Sequence, residues 1–542
     1  MASFCDKVTG LNFSLRARLL TGAFAFGILM LCGRGWANPV DLPVHHWSYE
    51  EVERLASMGL CSGEGLSTRP LARGAMADKV AEALEAVREG EIEFSDEEAP
   101  LIEESLLRLS EEFREELKAK GVPRVESGEK KASFHLFRKG PWAFSTSFDS
   151  EKYFASLEKD KATSLLENSK GFRLHDGFNA RIGFPSWFTV SEVLAVSAHP
   201  RVNFRREDDG EADFDFDEAT AKLSYRNLYV RGGRNSYWWG SGFHGTLLLT
   251  DNARPFHSVS VGSEHSFALP WALKSLGVWN ASLFLGRLSK KEIVFRSLVG
   301  GWRVEWFPIR WLTFGASHLI QLGGETQKSN FGTIWDTFNP TTGGGENENP
   351  NHLYGGDFRI FLPQIAQWTH LGSGLNVYGE FYGEDTTGIY IPVMVSRLGG
   401  FWLTDLFGFA GFDMRAEVAE TDARAYQHFI YTSGYRYKGE FLGHHIGPDA
   451  DDIYLRFDKR FENNVTVGVY FDRERQGRTG AALPFGAVAN IKNQGGADLS
   501  YRLNEQITVR AVYELEDINN FRNSTGQEAT NHIVTVGANI TF

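Results

Sequence analysis

The run ITVRAVYELE, Ile507 to Glu516, sets Ile507, Val509, Ala511, Tyr513 and Leu515 against Thr508, Arg510, Val512, Glu514 and Glu516. A period of two is a strand period, because successive side chains leave opposite faces of the pleat. One face of this strand is apolar and the other is largely polar. Working outward, Val465, Val467, Val469 and Phe471 alternate in the same way with Thr466, Gly468, Tyr470 and Asp472. Comparable segments stand at Phe178 to Phe184, Ala219 to Tyr225, Trp302 to Trp306, Leu375 to Glu384 and Ile453 to Asp458. The pattern runs from about Ser133 to the last residue, and 42 Phe, 17 Tyr and 14 Trp suit it, since aromatic side chains favour strands.

Alternation also fits a soluble sandwich, so two further features decide. The chain ends HIVTVGANITF, with His532, Val534, Val536, Ala538, Ile540 and the terminal Phe542 on one face. This resembles the C-terminal signal that the assembly machinery of bacterial outer-membrane barrels reads. The connections are also very unequal: Gly323 to Asn351, with its Gly343-Gly344-Gly345 run, reads as a long outer loop, whereas Asn463-Asn464 and Asn504-Glu505 read as tight turns. Short turns on one rim and long loops on the other belong to transmembrane barrels. The roughly 410 residues from Ser133 onward, at roughly 22 to 25 per strand with its connection, give about 16 to 18 antiparallel strands. The expected fold is all-β and transmembrane, an outer-membrane β-barrel over 133–542 with lipid outside and a lumen that is either a pore or partly filled.

The first 121 residues differ. Lys7, Arg16 and Arg18 precede an apolar run from Leu19 to Cys32 and a small-residue exit at Ala37, an export leader over 1–37. No later run of about 18 apolar residues would make a spanning helix. Residues 38–121 carry helical spacing: Ser48, with Glu51 three residues on, reads as the cap of a helix bearing Val52, Leu55, Ala56 and Met58, ended by Gly59. A second helix follows Arg73, and a third runs from near Ser95 through Leu117 to Gly121. This is a small periplasmic helical unit. Three Cys, two of them within the first 32 residues, exclude a disulfide framework, and a formal charge of −13 disfavours a nucleic-acid partner.

Chemistry concentrates in two places. Around Tyr237, Trp238 and Trp239, with Arg231, Arg234, Asp251, Asn252 and Arg254 nearby, paired aromatics and planar polar groups offer what a sugar ring needs, an apolar face and hydrogen bonds at its edge. The same residues also fit an interfacial aromatic girdle with a glycine-rich turn. The second place is His444, His445, Asp449, Asp451 and Asp452. Close aspartates suit Ca2+, but the spacing is not that of an EF-hand loop and Gly447-Pro448-Asp449 reads as a turn, so no metal is expected and Ca2+ is the one ion considered. For enzymes, Glu380 and Glu384 share a strand face about 13 Å apart, too far for a glycosidase pair. Together with Asp385 they read as solvated lumen charge. Ser241 between two glycines lacks the strand-to-helix elbow of a catalytic serine. No catalytic residue is expected.

GRNSYWWGSGFHGTLLLTDNARPF (Gly233 to Phe256) and FLGHHIGPDADDIYLRFDKRF (Phe441 to Phe461), with YGEFYGED (Tyr378 to Asp385) between them, resemble the capsule-assembly Wzi family. That resemblance implies an 18-stranded outer-membrane barrel with a periplasmic helical element, holding capsular or other surface polysaccharide like a lectin rather than acting as an enzyme. On this reading Tyr237, Trp238 and Trp239 are expected to stack on sugar rings, while Arg231, Arg234, Asp251, Asn252 and Arg254 orient and seal the lumen through ion pairs. Val44 to Leu84 resembles a surface-layer-homology module, agreeing at His46, Trp47, Tyr49, Leu55, Gly59, Arg69, Pro70 and Arg73. This implies contact with peptidoglycan through Trp47, Tyr49, Arg69 and Arg73; the alternative is a packing unit beneath the barrel. The competing function is a porin-type passive channel for sugars or anions, anchored to the wall by that segment.

Overall fold

Segments with the period of two pair in chain order and close on themselves. The computed structural model describes residues 39–90, 92, 94–122, 137–139, 142–158, 164–205, 211–288, 296–324, 350–387, 391–484 and 486–541. The leader, the glycine-rich part of the expected outer loop, Phe542 and the side chain of Asp385 lie outside the described residues. Eighteen antiparallel barrel strands stand among the described ones. They are β1 (Trp142–Leu157), β2 (Gly177–Gly183, resuming as Ser186–Ser191), β3 (Leu194–Arg205), β4 (Glu211–Tyr225), β5 (Leu228–Asn235) and β6 (Phe256–Ser263, resuming as Phe267–Ala268). The ring continues through β7 (Val278–Arg287), β8 (Leu298–Ile309), β9 (Leu312–Leu322), β10 (Asn351–Phe361), β11 (Gly374–Thr387) and β12 (Ile391–Thr404). It ends with β13 (Phe412–Glu420), β14 (Ala450–Phe461), β15 (Val465–Gln476), β16 (Asn490–Arg502), β17 (Ile507–Asn519) and β18 (Glu528–Thr541). The last strand pairs with the first, from Asn531 opposite Leu157 to Thr541 opposite Ser147, so no edge is left open.

The wall is inverted relative to a soluble protein. Phe154, Phe214, Leu223, Val259, Val469, Phe471, Tyr513 and Val536 are exposed on the outside, while Arg181, Lys222, Arg303, Asp357, Arg359, Glu380 and Glu417 are buried within. A continuous apolar exterior over a charged interior is stable only in lipid. Connections 192–193, 226–227, 310–311, 462–464 and 503–506 make one rim, and among the described residues 164–176, 236–255 and 421–449 make the other. On the short-turn rim Trp271 is 90% exposed and Trp368 78% exposed, an aromatic girdle at headgroup level.

The helical unit consists of α1 (Ser48–Ser57), α2 (Arg73–Glu89), α3 (Ala99–Glu112) and α4 (Arg114–Ala119). Leu55, Val80, Ala83, Leu106, Leu109 and Phe113 form its core, which takes in Phe361 of β10. Two local expectations change. Ser48 is the first helical residue, not the cap, and its hydroxyl hydrogen-bonds Nδ1 of His46 at 2.8 Å. The expected third helix breaks at Phe113 into α3 and α4. Ser95 supplies the true capping box, its amide donating to Glu98 Oε2 at 2.9 Å and its hydroxyl oxygen accepting the Glu98 amide at 3.2 Å.

The unit docks on the short-turn rim. Arg54 of α1 reaches Asp405 at 2.7 Å and Asp413 at 3.3 Å, Glu104 of α3 pairs with Arg502 at 2.9 Å, and Glu53 with Arg359 at 3.0 Å.

Candidate functional site

Residues 236–255 leave β5 at the long-loop rim and fold back into the lumen. Trp238 and Trp239 pair as a two-residue ladder with Arg69 and Thr68, between α1 and α2, and the amide of Gly240 donates to the carbonyl of Ser67 at 2.9 Å. Gly240 has φ +144°, and a Cβ there would fall 2.3 Å from the Glu380 carboxylate, so the position admits only glycine. Wall carboxylates hold the segment. Glu380 of β11 accepts the amides of Gly242 and Leu247, each at 2.8 Å, and Glu417 of β13 accepts those of Phe243 at 2.7 Å and His244 at 3.1 Å. Glu384 accepts the amide of Tyr426. These carboxylates are buried clamps on backbone, which corrects the expectation of solvated lumen charge. Ser241 donates to Asp357 at 2.9 Å, sits 3.0 Å from the Ser67 hydroxyl, and its carbonyl accepts from Arg359 at 2.6 Å.

The aromatic cluster is also a correction. Tyr237, Trp238 and Trp239 are only 2–3% exposed: Tyr237 stacks on Phe284 with centroids 4.8 Å apart, Trp239 meets that ring edge-on at 5.1 Å, and His45 lies edge-on to Trp238 at 5.4 Å. Their faces are taken by protein, so they form the floor of the outer mouth and offer no stacking surface to solvent. The polar residues expected beside them are engaged within the protein. Arg231 pairs with Asp41 at 2.9 Å, Asp251 with His45 at 2.8 Å, and Arg234 and Arg254 converge on Asp215 at 2.6 and 3.2 Å. The Asn252 amide side chain donates to the carbonyl of Phe441 at 3.3 Å.

The second motif arrives from the opposite wall. Segment 421–449 also folds inward, and Tyr426, Tyr435, Leu442 and Ile446 join Tyr237, Trp239 and Leu247 to Leu249 in one buried cluster. Here His444, His445 and Asp452 meet His244. His445 Nε2 lies 3.3 Å from Glu474 and 3.6 Å from Asp452, and His244 Nε2 lies 3.4 Å from Glu167, 3.7 Å from Asp472 and 3.8 Å from Asp452, its ring stacked 4.1 Å from that of Tyr454. Burial opposes charge on His244, but the negative charge of Asp472, then Glu167 and Glu417, outweighs it and raises the imidazole to about 9. On His444 burial, reinforced by His445 and His244, pushes the imidazole well below its ordinary value.

Asp449 and Asp451 are not part of this group. Asp449 accepts from the amide and hydroxyl of Thr479, and Asp451 pairs with Arg475. The three aspartates considered for Ca2+ are therefore dispersed, because period-two geometry sends Asp451 and Asp452 to opposite faces of β14. Sequence reading missed Glu167, His244, Asp472, Glu474 and Lys492. His244 stands inside the first motif, and Asp472 and Glu474 are inward positions of β15 by alternation, whereas nothing local marks Glu167.

The four residues expected to touch the cell wall are engaged within the fold. The Tyr49 hydroxyl accepts the Leu71 amide at 2.7 Å beneath the Arg69 guanidinium, Arg73 pairs with Glu112 at 2.6 Å and Glu116 at 2.8 Å, and Arg108 covers Trp47. Beside the helical unit, against β1, β17 and β18, lies a cavity of ≈ 1730 Å³ whose polar walls include Arg181, Arg201, Glu218 and Glu167.

A family model described as capsule assembly protein Wzi matches residues 154–533. An uncharacterized 55.8 kDa protein in the cps region of Klebsiella pneumoniae is 29% identical over 189 residues, 34% of this chain and 36% of that one, so the match spans about a third of that relative's length. Among solved structures, Escherichia coli Wzi, described as an outer-membrane protein involved in group 1 capsule assembly and a carbohydrate-binding β-barrel, superposes with a TM-score of 0.66 at 18% identity, over 93% of this chain and 99% of that one. OprD of Pseudomonas aeruginosa superposes at 0.42 with 9% identity, over 74% and 94%.

Proposed function

This chain belongs to the capsule assembly protein Wzi family, and from that we propose that it is an outer-membrane barrel that binds capsular or related surface polysaccharide at its outer mouth and attaches it to the cell without catalysing a reaction. The observation that carries the reading is the core packed inside the barrel. Segments 236–255 and 421–449, which bear the first family motif and the start of the second, turn inward and share one buried core, so the long-loop rim becomes a built surface over a packed floor, with the cavity beside it. The description of the Escherichia coli neighbour supports the ligand class. Polar side chains at the edge of that floor, Arg234, Arg254 and Asp215, are partly exposed and hold planar hydrogen-bonding groups toward the mouth, the geometry suited to sugar hydroxyls and carboxylates. Catalysis has no support in the carboxylates, since Glu380 and Glu417 spend their oxygens on backbone amides. The helical unit acts as a plug, held to the short-turn rim by ion pairs and by apolar contact with Phe361. A porin reading finds no support in a lumen crossed by a backbone ladder.

The test is capsule retention in a deletion strain, together with binding of isolated capsular polysaccharide to the purified barrel in detergent. Unchanged surface polymer in the deletion strain and no binding in vitro would reject the reading.

A further inference from the structure

The buried group around Asp452 carries more negative charge than its neighbours balance. Four carboxylates, of Glu167, Asp452, Asp472 and Glu474, face one permanent cation, and the Lys492 ammonium is committed to Glu167 and, at 2.7 Å, to Glu474. Among the described residues the ion-pairing neighbours of Asp452 are imidazoles: its Oδ2 stands 3.6 Å from Nε2 of His445, 3.8 Å from that of His244 and 3.9 Å from that of His444. Those spacings are too long for hydrogen bonds. Nε2 of His244, Nε2 of His444, both ring nitrogens of His445 and Oδ1 of Asp452 have no hydrogen-bond partner among the described residues. His444, His445 and Asp452 are each more than nine-tenths buried, where polar atoms are rarely left without a partner.

The same spacings suit donors around one ion. Two ligands of a tetrahedral zinc, each about 2.0–2.1 Å from the metal, stand about 3.3 Å apart, so gaps of 3.6–3.9 Å close with side-chain movements of a few tenths of an ångström. The donor atoms of His444, His445 and Asp452 lie within 4.8 Å of one another, as do those of Glu167, His244 and His445. Imidazole nitrogen selects a borderline transition ion, whereas Ca2+ takes oxygen ligands only. We propose that His244, His444, His445 and Asp452 form a site for a divalent transition ion of the zinc type, which clasps the first family motif to the second across the lumen. Its position dictates its work: His244 belongs to segment 236–255 and His444 and His445 to segment 421–449, and a shared ion adds a cross-link to two long loops that already meet through apolar packing and through hydrogen bonds such as that of the Thr250 amide to the Leu442 carbonyl at 2.7 Å.

The experiment uses the untagged full-length protein in detergent, stripped with a chelator, dialysed against micromolar Zn2+ and analysed for metal by mass spectrometry. About one zinc per chain is expected. His445→Ala and Asp452→Asn are expected to weaken zinc binding on the order of 100-fold or more, judged against the 10- to 100-fold that loss of a mere supporting contact costs. His444→Gln is the milder variant should either fail to fold. Replacement by Co2+ gives the wild-type protein the visible absorption of a tetrahedral Co2+ centre. No zinc retained by the folded wild type, no such absorption, or equal retention in a folded variant would overturn the proposal. None of these readouts depends on polysaccharide binding.

Discussion

Arg54 is 2% exposed and ties α1 to Asp405 and Asp413 on the barrel rim. Removing one partner of a buried ion pair leaves the other charge uncompensated, at about 3–5 kcal/mol. Arg54→Ala is therefore expected to loosen the helical unit, read as cleavage within 39–122 at protease concentrations the wild type withstands. Trp239 argues from packing instead. Its truncation to Ala removes a buried ring from the floor of the mouth at about 3–5 kcal/mol, so the melting temperature should fall and polysaccharide binding should weaken through collapse of the floor. Trp239→Phe should keep most of both; loss of sugar binding in Trp239→Phe with unchanged melting would instead mean that the indole touches the ligand. The identity of these aromatic residues stands out in the sequence, but their orientation does not, because the adjacent Gly240 decides it together with the carboxylates of Glu380 and Glu417, which come from strands more than a hundred residues away.

At the scale of elements, the docking of α2 on α3 and α4 depends on acid. Burial, with Arg73 and Arg108 adding to it against Glu112, depresses the His46 imidazole to about 4, and Arg73, His46 and Arg108 overcome the burial of Glu112 and hold its carboxyl at about 2. Both folded values lie below those of the unfolded chain, so on acidification the unfolded state takes up protons first. Stability is lost as pH falls from about 6.5 toward about 4 through His46, and from about 4.5 toward about 2 through Glu112. Amide protection factors in 39–122, corrected for the intrinsic rate at each pH, should therefore fall below about pH 6, while those in the barrel strands hold. An equal fall in both would separate this effect from docking. The helices and strands themselves were readable, since each carries its own period. The inward course of segments 236–255 and 421–449 was not, because a glycine-rich polar connection has one composition whether it arches into solvent or turns into a lumen.

For the molecule as a whole, the apolar exterior and the filled interior give separate expectations. Val469→Arg, on the lipid face of β15, should destabilise the barrel by about 2–4 kcal/mol if the position lies near the bilayer midplane; a smaller cost read from unfolding in lipid vesicles would place it nearer an interface. In planar bilayers the intact chain should show little steady conductance, and removal of 39–122 should raise it; large stable channels from the intact chain would restore the porin reading. The barrel and its approximate strand number followed from alternation and the contrast of rims. The filling followed from neither, since contacts between an N-terminal unit and segment 236–255 leave no period behind. That filling has a mechanical consequence. Material enters from both rims and meets midway, where the backbone of Thr68 and Arg69 bonds that of Trp238 and Trp239, while Arg54 and Glu104 grip the far rim. A pull on a polymer held at the cell surface is thus passed down the axis to a head seated on the opposite side, as tension in a rivet is, and is not left to the loops alone.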